Sequence, residues 1–309
     1  GGPIDIMVLM QSLARGLVVE PYIANVILAG GILKRVGNEA QKEQWLHPMI
    51  AGELQATLAF NEPQARYELA RVATSATRDG NRWVLDGHKG LVLNGGTSDL
   101  LRIPARTAGD AGDEHGITLF AVAADSDGLS CQAYATVDGL RAAEIKLDAV
   151  RLSGDAVLGN VDEGFAALAA TIDDATLAVC AEAVGIMYAL KDKTVQYSKD
   201  RSQFGVPIGS FQVLQHRMVD MLMACEQAQS LLIWAVMTNA EGGEESRRAV
   251  SAIKYMIGTA GQRLGEEAVQ IHGGMGVTWE LDVAHYFKRL TAICTLFGNA
   301  DWHLDKLAT

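Results

Sequence analysis

No two of the four cysteines lie near each other in the sequence, and none forms a CxxC pair. Neither a zinc site of the usual ligand spacing nor a redox-active cysteine pair is therefore predicted. We interpret the cysteines as buried or free thiols, which suits a reducing cytoplasm. They are Cys131, Cys180, Cys225 and Cys294.

Long hydrophobic runs are also missing. Although 49% of the residues are hydrophobic, charged residues interrupt every apolar stretch before it reaches the ~20 residues that a membrane span requires. The N-terminal sequence GGPIDIMVLMQ lacks the basic start and short apolar block of a signal peptide, and it lacks an initiator methionine. We therefore expect a soluble cytoplasmic protein without a membrane segment, and further residues upstream of Gly1.

Positive charge is in the minority. The chain has 26 Lys and Arg residues against 37 Asp and Glu residues, which gives a formal net charge of -11. A protein that binds nucleic acid would instead show a basic footprint, so no nucleic-acid partner is predicted.

Hydrophobic periodicity divides the 309 residues into three parts. Over residues 1–53, apolar side chains recur at spacings of three and four, which favours helices. Over residues 54–153, short apolar runs alternate with turn signals such as Asp79-Gly80 and Asn94-Gly95, which indicates a domain of antiparallel β-strands. Over residues 154–309, long helical patterns predict a bundle of four or five helices.

The helical patterns of the C-terminal part run over residues 172–199, 212–240, 244–270 and 281–293, with Gly242-Gly243 as a break. The order of helices, antiparallel strands and helices excludes a regular βαβ alternation. A Rossmann domain is therefore not predicted.

The segment Asp200–Gln212, DRSQFGVPIGSFQ, joins two predicted helices and combines a cation, an aromatic ring and several amide groups. An arginine can fork onto phosphate oxygens, a phenyl ring can pack on a planar ring, and Gly205 permits a tight turn. These residue types suit a dinucleotide. On residue chemistry alone, a helix–helix connection with a core phenylalanine stays the alternative.

A second glycine-rich string, QIHGGMG at residues 270–276, follows a helical pattern. It therefore lacks the strand, GxGxxG and helix order of a dinucleotide fingerprint. Its glycines expose backbone N–H groups to a ligand, although a glycine helix stop explains them equally well. We interpret His272 by itself as a hydrogen-bonded structural residue.

Together, the strings YSKDRSQFGVPIGSFQVLQHRMVDM, AVQIHGGMGVT and DAVLGNVDEGF resemble the acyl-CoA dehydrogenase family. The resemblance covers essentially the whole chain and implies an α+β multidomain fold with truncated N-terminal helices, a middle antiparallel β domain and a C-terminal four-helix bundle. It also implies FAD as cofactor, an acyl-CoA thioester as substrate, a role in fatty acid metabolism and an electron-transfer flavoprotein as electron acceptor.

In that family, residues of the two motifs contact the ADP half of an FAD that belongs to a neighbouring subunit. The resemblance assigns this role to Arg201, Phe204, Gln212, Gln270, Gly273 and Gly274. We therefore expect this chain to complete a partner's cofactor site within an oligomer.

The resemblance fails at the catalytic base, which in the family is a glutamate that removes the α proton. Ungapped counting places Phe297 at its usual position, and Ala175 at the position that some members use on the first bundle helix. Neither side chain accepts a proton, so the base is unknown. Asp174 or Asp173 is the alternative base. It is a weak one, because a step of one residue turns about 100° around a helix, so the carboxylate would point away from the position of Ala175.

The predicted β domain departs from the family in the same direction. Asn61-Glu62-Pro63 matches a TEP-like string, but Gln64–Glu68 replaces the GxGSD that follows it, and Leu93 stands where a threonine hydroxyl meets the flavin. The lost groups hold the flavin ring within the subunit, whereas the neighbour-facing residues remain. This pattern resembles the small or β-type subunit of bacterial heteromeric enzymes, such as the pimeloyl-CoA dehydrogenase small subunit.

Three hypotheses follow from this pattern. In the first, the chain forms a heterotetramer with a catalytic acyl-CoA dehydrogenase subunit and completes that subunit's FAD site. In the second, it is a self-sufficient homo-oligomeric flavoenzyme with an unorthodox base. In the third, it is a scaffold subunit that binds no flavin. Nothing in the sequence identifies the acyl group.

Overall fold

The computed structural model describes residues 2–308, which divide into two compact units. One unit is Glu20–Ala175, and the other combines the residues up to Val19 with those from Thr176 onward. Helices and strands are both present, as the predicted α+β class requires. The domain boundaries after residues 53 and 153 stay predictions.

Helices occupy both ends of the described chain. They are α1 (Pro3–Arg15), α2 (Gly30–Val36), α3 (Glu39–Ala51), α4 (Phe165–Asp200), α5 (Gln212–Glu241), α6 (Gly243–Met256), α7 (Gln262–His272), α8 (Val283–Thr295) and α9 (Ala300–Ala308). Two π-helical segments, Ile23–Ala29 and Ile257–Gly261, precede α2 and separate α6 from α7. Among residues 2–308, no helix combines the length and apolar character that crossing a lipid bilayer requires.

The strands lie between α3 and α4, except for a short hairpin after α4. They are β1 (Ala56–Leu58), β2 (Ser75–Asp79), β3 (Arg82–Leu93), β4 (Leu100–Arg106), β5 (Ile117–Ala123), β6 (Leu129–Ala135), β7 (Arg141–Ser153), β8 (Val157–Leu158), β9 (Ser202–Gln203) and β10 (Val206–Pro207). β9 and β10 form the hairpin.

The first eight strands form one sheet in the order β6-β7-β3-β2-β4-β5-β8, with β1 beside β4. The prediction of purely antiparallel strands is wrong at two places, because β1 pairs in parallel with β4 and β2 meets β4 in parallel. The physical reason is that β3 reverses the chain after β2, and the turn Gly95–Thr97 reverses it again. β4 therefore runs in the same direction as β1 and β2.

One face of this sheet forms the hydrophobic core of the unit Glu20–Ala175. Alternate residues of β4, namely Leu101, Ile103 and Ala105, join that core with Phe120 of β5. Because successive side chains of a strand point to opposite faces, Arg102 lies on the other face of the sheet.

The C-terminal helices follow the sequence pattern closely. α4 begins at Phe165, earlier than the predicted start at residue 172, and α5 and α8 cover the predicted segments. Gly242 has φ +74° between α5 and α6, which confirms the predicted break. The predicted single helix 244–270 is interrupted by the π-helical segment before α7.

α1 packs closely on this helical unit. Gly185 of α4 permits the close approach, since a Cβ atom at that position would lie 2.5 Å from the carbonyl oxygen of Gln11. The Gln11 side chain also donates a hydrogen bond to Gln229 of α5 at 2.6 Å. The absence of a side chain at Gly185 of α4 therefore leaves the room that α1 occupies.

Candidate functional site

The first predicted motif forms the β9–β10 hairpin directly after α4. Phe204 and Gly205 make its tip with φ angles of +57° and +82°, which confirms the tight turn predicted at Gly205. The Phe204 side chain is 93% exposed, so it is not the core phenylalanine of the alternative interpretation. Arg201 is exposed as well, and its backbone N–H closes the last turn of α4 on Tyr197.

The second predicted motif forms the C-terminal end of α7. The helix ends at His272, and Gly273 follows with φ +60°. Neither Gly273 nor Gly274 has any neighbouring atom within 4 Å of the place where a Cβ would stand. The backbone here is therefore open to a ligand, and the positive φ favours glycine at the first position.

A contact between Tyr197 and His272 brings the two motifs together. Their rings stack with centroids 4.3 Å apart, and the Tyr197 hydroxyl donates a hydrogen bond to the His272 carbonyl at 3.3 Å. Tyr197 precedes Arg201 by one helical turn, and His272 immediately precedes Gly273. The ends of α4 and α7 are thus held side by side.

His272 itself has a structural role, as predicted. Its side chain is buried, and Nδ1 donates a hydrogen bond to the Ala268 carbonyl at 2.8 Å. Burial lowers the pKa of the imidazole. The neutral imidazole of His272 therefore packs on Tyr197, directly before Gly273 and Gly274 in the chain.

The two predicted glutamines lie on the neighbouring helices α5 and α7. Gln212 is the first residue of α5, and Gln270 lies in the last turn of α7; both are exposed. An ion pair between Arg217 and Glu267 links the two helices within two turns of these residues. The helix ends that carry the two amides are therefore joined.

Phe297, which the sequence predicts to stand at the usual position of the family base, is buried. Phe297 follows α8 with φ +57°, and its carbonyl oxygen accepts a hydrogen bond from His303 Nε2 at 3.1 Å. The next carbonyl, of Gly298, accepts a hydrogen bond of 2.6 Å from the fully buried Lys254 ammonium. The backbone at this position is therefore fixed from two sides.

The titratable groups beside Phe297 are poor substitutes for a carboxylate base. Burial, with the nearby Lys254 charge as a smaller cause, lowers the pKa of His303 to about 3. Lys254 also has a lowered pKa, again because of burial, and its ammonium already donates to two carbonyl oxygens. Neither group is placed to accept a proton from a substrate.

Ala175, which the sequence predicts to stand at the second position of the family base, is fully buried in α4. Its neighbour Asp174, the weak alternative, forms an ion pair of 2.5 Å with Arg35 of α2. Arg35 also donates to the Ala170 carbonyl at 3.3 Å. The Asp174 carboxylate is therefore engaged by an arginine of α2, which disfavours it as the base.

Asn61-Glu62-Pro63, the string that resembles the family's TEP, contains one partner of a buried ion pair in the unit Glu20–Ala175. Glu62 accepts a hydrogen bond of 2.6 Å from Lys89 of β3, and both side chains are buried. Two backbone N–H groups, those of Ala73 and Thr74, also donate to this carboxylate. Burial would raise the pKa of Glu62, but Lys89 and these hydrogen bonds lower it.

Leu93 ends β3, where the family places its flavin-facing threonine. Its carbonyl oxygen accepts a hydrogen bond of 2.6 Å from the Thr57 hydroxyl of β1. The leucine side chain is half-buried and has no donor. The strand therefore offers no side-chain hydroxyl at the position where the resemblance predicts a flavin-binding threonine.

Sequence reasoning missed three residues near the site. Tyr197 gave no signal of its own, because its partner lies in the second motif, far along the chain. Lys254 reads as an ordinary helical lysine. Trp279 is 75% exposed, and the Lys288 ammonium lies 3.6 Å from its ring centroid. For Trp279, the sequence did offer a signal, since a tryptophan follows soon after the glycine-rich string at residues 270–276.

The exposed half of the site fits an FAD molecule. It offers the Arg201 guanidinium, an exposed phenyl ring at Phe204, two amide side chains and an open glycine backbone. A guanidinium is suited to phosphates, and a phenyl ring to a planar group. No cluster of three metal-ligating side chains occurs in the part of the chain that the structure describes.

The β-sheet unit and the helical unit with its exposed motifs agree with the class of flavin-dependent dehydrogenases. Comparisons with known proteins specify the family. A model of the acyl-CoA dehydrogenase middle domain matches residues 57–150, and a model of the acyl-CoA dehydrogenase C-terminal domain matches residues 162–309. The chain belongs to the acyl-CoA dehydrogenase family, whose members are FAD-dependent oxidoreductases acting on CH–CH groups.

Similar proteins cover most of the chain. A probable acyl-CoA dehydrogenase of Mycobacterium leprae is 33% identical over 84% of this chain and 67% of its own length. Butyryl-CoA dehydrogenase from Megasphaera elsdenii has a similar structure, with TM-score 0.92 and 28% identity, covering 100% of this chain and 82% of the other. A steroid acyl-CoA dehydrogenase variant has TM-score 0.86 and 28% identity, covering 99% and 80%. These similarities confirm the predicted fold class.

Proposed function

We propose that this chain is one subunit of an oligomeric acyl-CoA dehydrogenase and completes the FAD site of a partner subunit that carries the catalytic glutamate. The observation that carries the proposal is the contrast between the two halves of the site. Residues at the ends of α4 and α7 are exposed and lie together, whereas Phe297 and Ala175 are buried apolar residues where a base would stand.

In this proposal the chain's residues bind and orient the cofactor. Bound FAD supplies the acceptor for the hydride that leaves the β carbon of the acyl group. Arg201 donates hydrogen bonds to phosphate oxygens, and Phe204 packs against a planar part of the dinucleotide. Gly273 and Gly274 allow the cofactor to approach the backbone closely. Gln212 and Gln270 supply amide hydrogen bonds from the two helices.

The proton-transfer step is assigned to the partner subunit. Phe297 has no proton acceptor, and its backbone is fixed by His303 and Lys254. The ion pair of Asp174 with Arg35 disfavours the self-sufficient enzyme of the second hypothesis. The exposure of Arg201 and Phe204 disfavours the scaffold that binds no flavin, because both side chains remain available to a cofactor.

The finer assignment is a small or β-type subunit in a heterotetramer, with an acyl-CoA thioester as substrate and an electron-transfer flavoprotein as electron acceptor. Its support is that the groups for the base and the flavin ring are missing, whereas the residues that face a neighbouring subunit are retained. The similarity to a steroid acyl-CoA dehydrogenase agrees with a bulky acyl group.

Co-expression with a catalytic acyl-CoA dehydrogenase subunit that carries the glutamate tests the proposal. We expect the two chains to co-purify, with FAD in the complex and acyl-CoA dehydrogenation dependent on both. The chain expressed alone is expected to be inactive. If it instead purifies alone with stoichiometric FAD and oxidises acyl-CoA, the proposal is wrong and the self-sufficient enzyme is correct.

A further inference from the structure

A groove lies between α5 and α7, and its cavity volume is about 510 Å³. The buried side chains of Met221 and Leu264 form its apolar floor. Thr259 and Ala260, from the π-helical segment that precedes α7, form part of its wall. A concave surface of this size with an apolar floor is typical of a place where another molecule binds.

Exposed apolar side chains continue along α5 from this groove. Met223 lines the groove and is 50% exposed, and Trp234, further along the helix, is 43% exposed. The step from one to the other is about three full turns, so both lie on nearly the same face of α5. Gln227 lies between them and lines both the groove and a second depression beside Trp234. Exposed methionine and tryptophan along one face are typical of a protein–protein interface.

The lining of the groove carries two positive and two negative charges. Arg217 and Glu267 form an ion pair with each other. Asp220 and Arg263 are exposed, and neither side chain has a hydrogen bond or ion pair with any residue from 2 to 308. The chain as a whole has a net charge of -11, whereas the charges of the groove balance. Two copies of the chain therefore repel each other less at this surface than their overall charge would suggest.

We propose that this groove is the contact surface between two copies of this chain, related by a two-fold axis. In such a contact one patch faces the same patch of the second copy, so every contact between two different residues occurs twice. A free anion and a free cation in one groove suit this arrangement, because Asp220 of each copy pairs with Arg263 of the other. The exposed surfaces of Met223 and Trp234 leave water in the same contact. The residues assigned to FAD are different ones, so an assembly can use both surfaces.

Charge reversal in the purified chain tests this contact, with sedimentation equilibrium as the measurement. Asp220→Arg and Arg263→Asp each turn both symmetric ion pairs into contacts between like charges. We expect either variant alone to raise the dissociation constant of the dimer at least about a hundredfold. An equimolar mixture of the two variants is expected to form dimers again. In the mixed dimer, each contact joins an arginine of one variant to an aspartate of the other.

Asp127→Arg is the matched control, because it changes the charge by the same amount at an exposed position of the unit Glu20–Ala175. This variant should associate as strongly as the wild type. The proposal is overturned if the wild-type chain stays monomeric, if the two groove variants associate as strongly as the wild type, or if their mixture stays dissociated. All four variants carry exposed substitutions or none, so folding is expected to be retained and circular dichroism checks it.

The complex with the catalytic subunit offers a second measurement, which rests on the proposed function. Either groove variant is expected to halve the mass of the complex, while the two kinds of chain remain in equal amounts. If a variant instead loses the catalytic subunit, the groove binds that subunit and the proposal is overturned. The mixture experiment needs neither FAD nor the catalytic subunit, so a failure of the proposed function leaves its result unaffected.

Discussion

At the scale of single residues, buried charges stabilise the chain only while their partners remain. The Glu62 carboxylate pairs with the fully buried Lys89. Replacing Glu62 with Gln leaves that ammonium without a counter-charge. We expect a loss of roughly 3–5 kcal/mol in the free energy of unfolding, measured by urea denaturation. Glu53→Gln, at an exposed position of the same unit, is the control. Equal urea midpoints for the two variants would contradict the importance of the pair.

His303 should make stability depend on pH. Its pKa falls from an ordinary value near 6.5 to about 3 on folding, so protonation favours the unfolded chain. The stabilisation is fully present above about pH 6.5 and is lost as the pH falls toward 3. We expect the unfolding free energy of His303→Gln to fall less steeply than that of the wild type over this range. Parallel curves from urea titrations would show that His303 does not contribute.

Residue types revealed part of the site from the sequence alone. The Gly205 turn and the opening at Gly273 follow from glycine chemistry and local pattern. The burial of Arg102 could not be predicted, because a strand of mixed polarity does not show which face each residue takes. The fixed backbone at Phe297 depends on Lys254 and His303, which come from two other helices.

At the scale of elements, the site depends on how the ends of α4 and α7 are joined. Tyr197 makes that junction through its ring and its hydroxyl. We expect Tyr197→Ala to lower the FAD content of the complex with the catalytic subunit more than Tyr197→Phe, because phenylalanine retains the stacking on His272. Flavin absorbance per complex measures both. If both variants retain full FAD, the junction does not organise the site.

The packing of α1 on α4 offers a separate test at the same scale. A Cβ atom at Gly185 would meet the Gln11 backbone oxygen at 2.5 Å, so Gly185→Ala requires α1 to shift. We expect a loss of about 1–3 kcal/mol, the usual cost of overpacking. Gly261→Ala is the control, since the nearest atom to its Cβ would be Leu290 Cδ1 at an ordinary 3.6 Å. Urea denaturation of both variants decides whether α1 is fixed by this contact.

Helices were easier to predict than strand pairing. The 3.6-residue period is local, and it placed α5 and α8 close to their observed bounds. The parallel pairing of β1 with β4 depends on two chain reversals between them, so no local pattern revealed it. The Tyr197–His272 contact joins motifs about seventy residues apart and was equally invisible.

At the scale of the whole molecule, the family assignment indicates a dehydrogenase, whereas the missing base argues against proton abstraction by this chain. Family models match most of the chain, yet buried apolar residues, Phe297 and Ala175, stand at the two positions predicted for the base. Division of labour between two kinds of subunit accounts for both facts. In the function that we propose, one subunit performs proton abstraction, and this chain contributes the exposed residues that hold the ADP half of the cofactor.

Flavin content of the co-expressed complex tests this central claim most directly. The comparison is between Arg201→Ala and Arg247→Ala, an exposed arginine on α6 outside the motifs. We predict that Arg201→Ala lowers the FAD bound per complex while the two chains still co-purify, because the cofactor's phosphates lose a charge-assisted hydrogen bond. Arg247→Ala should retain the wild-type amount. Equal FAD content in the two variants would contradict the claim that this chain completes its partner's cofactor site.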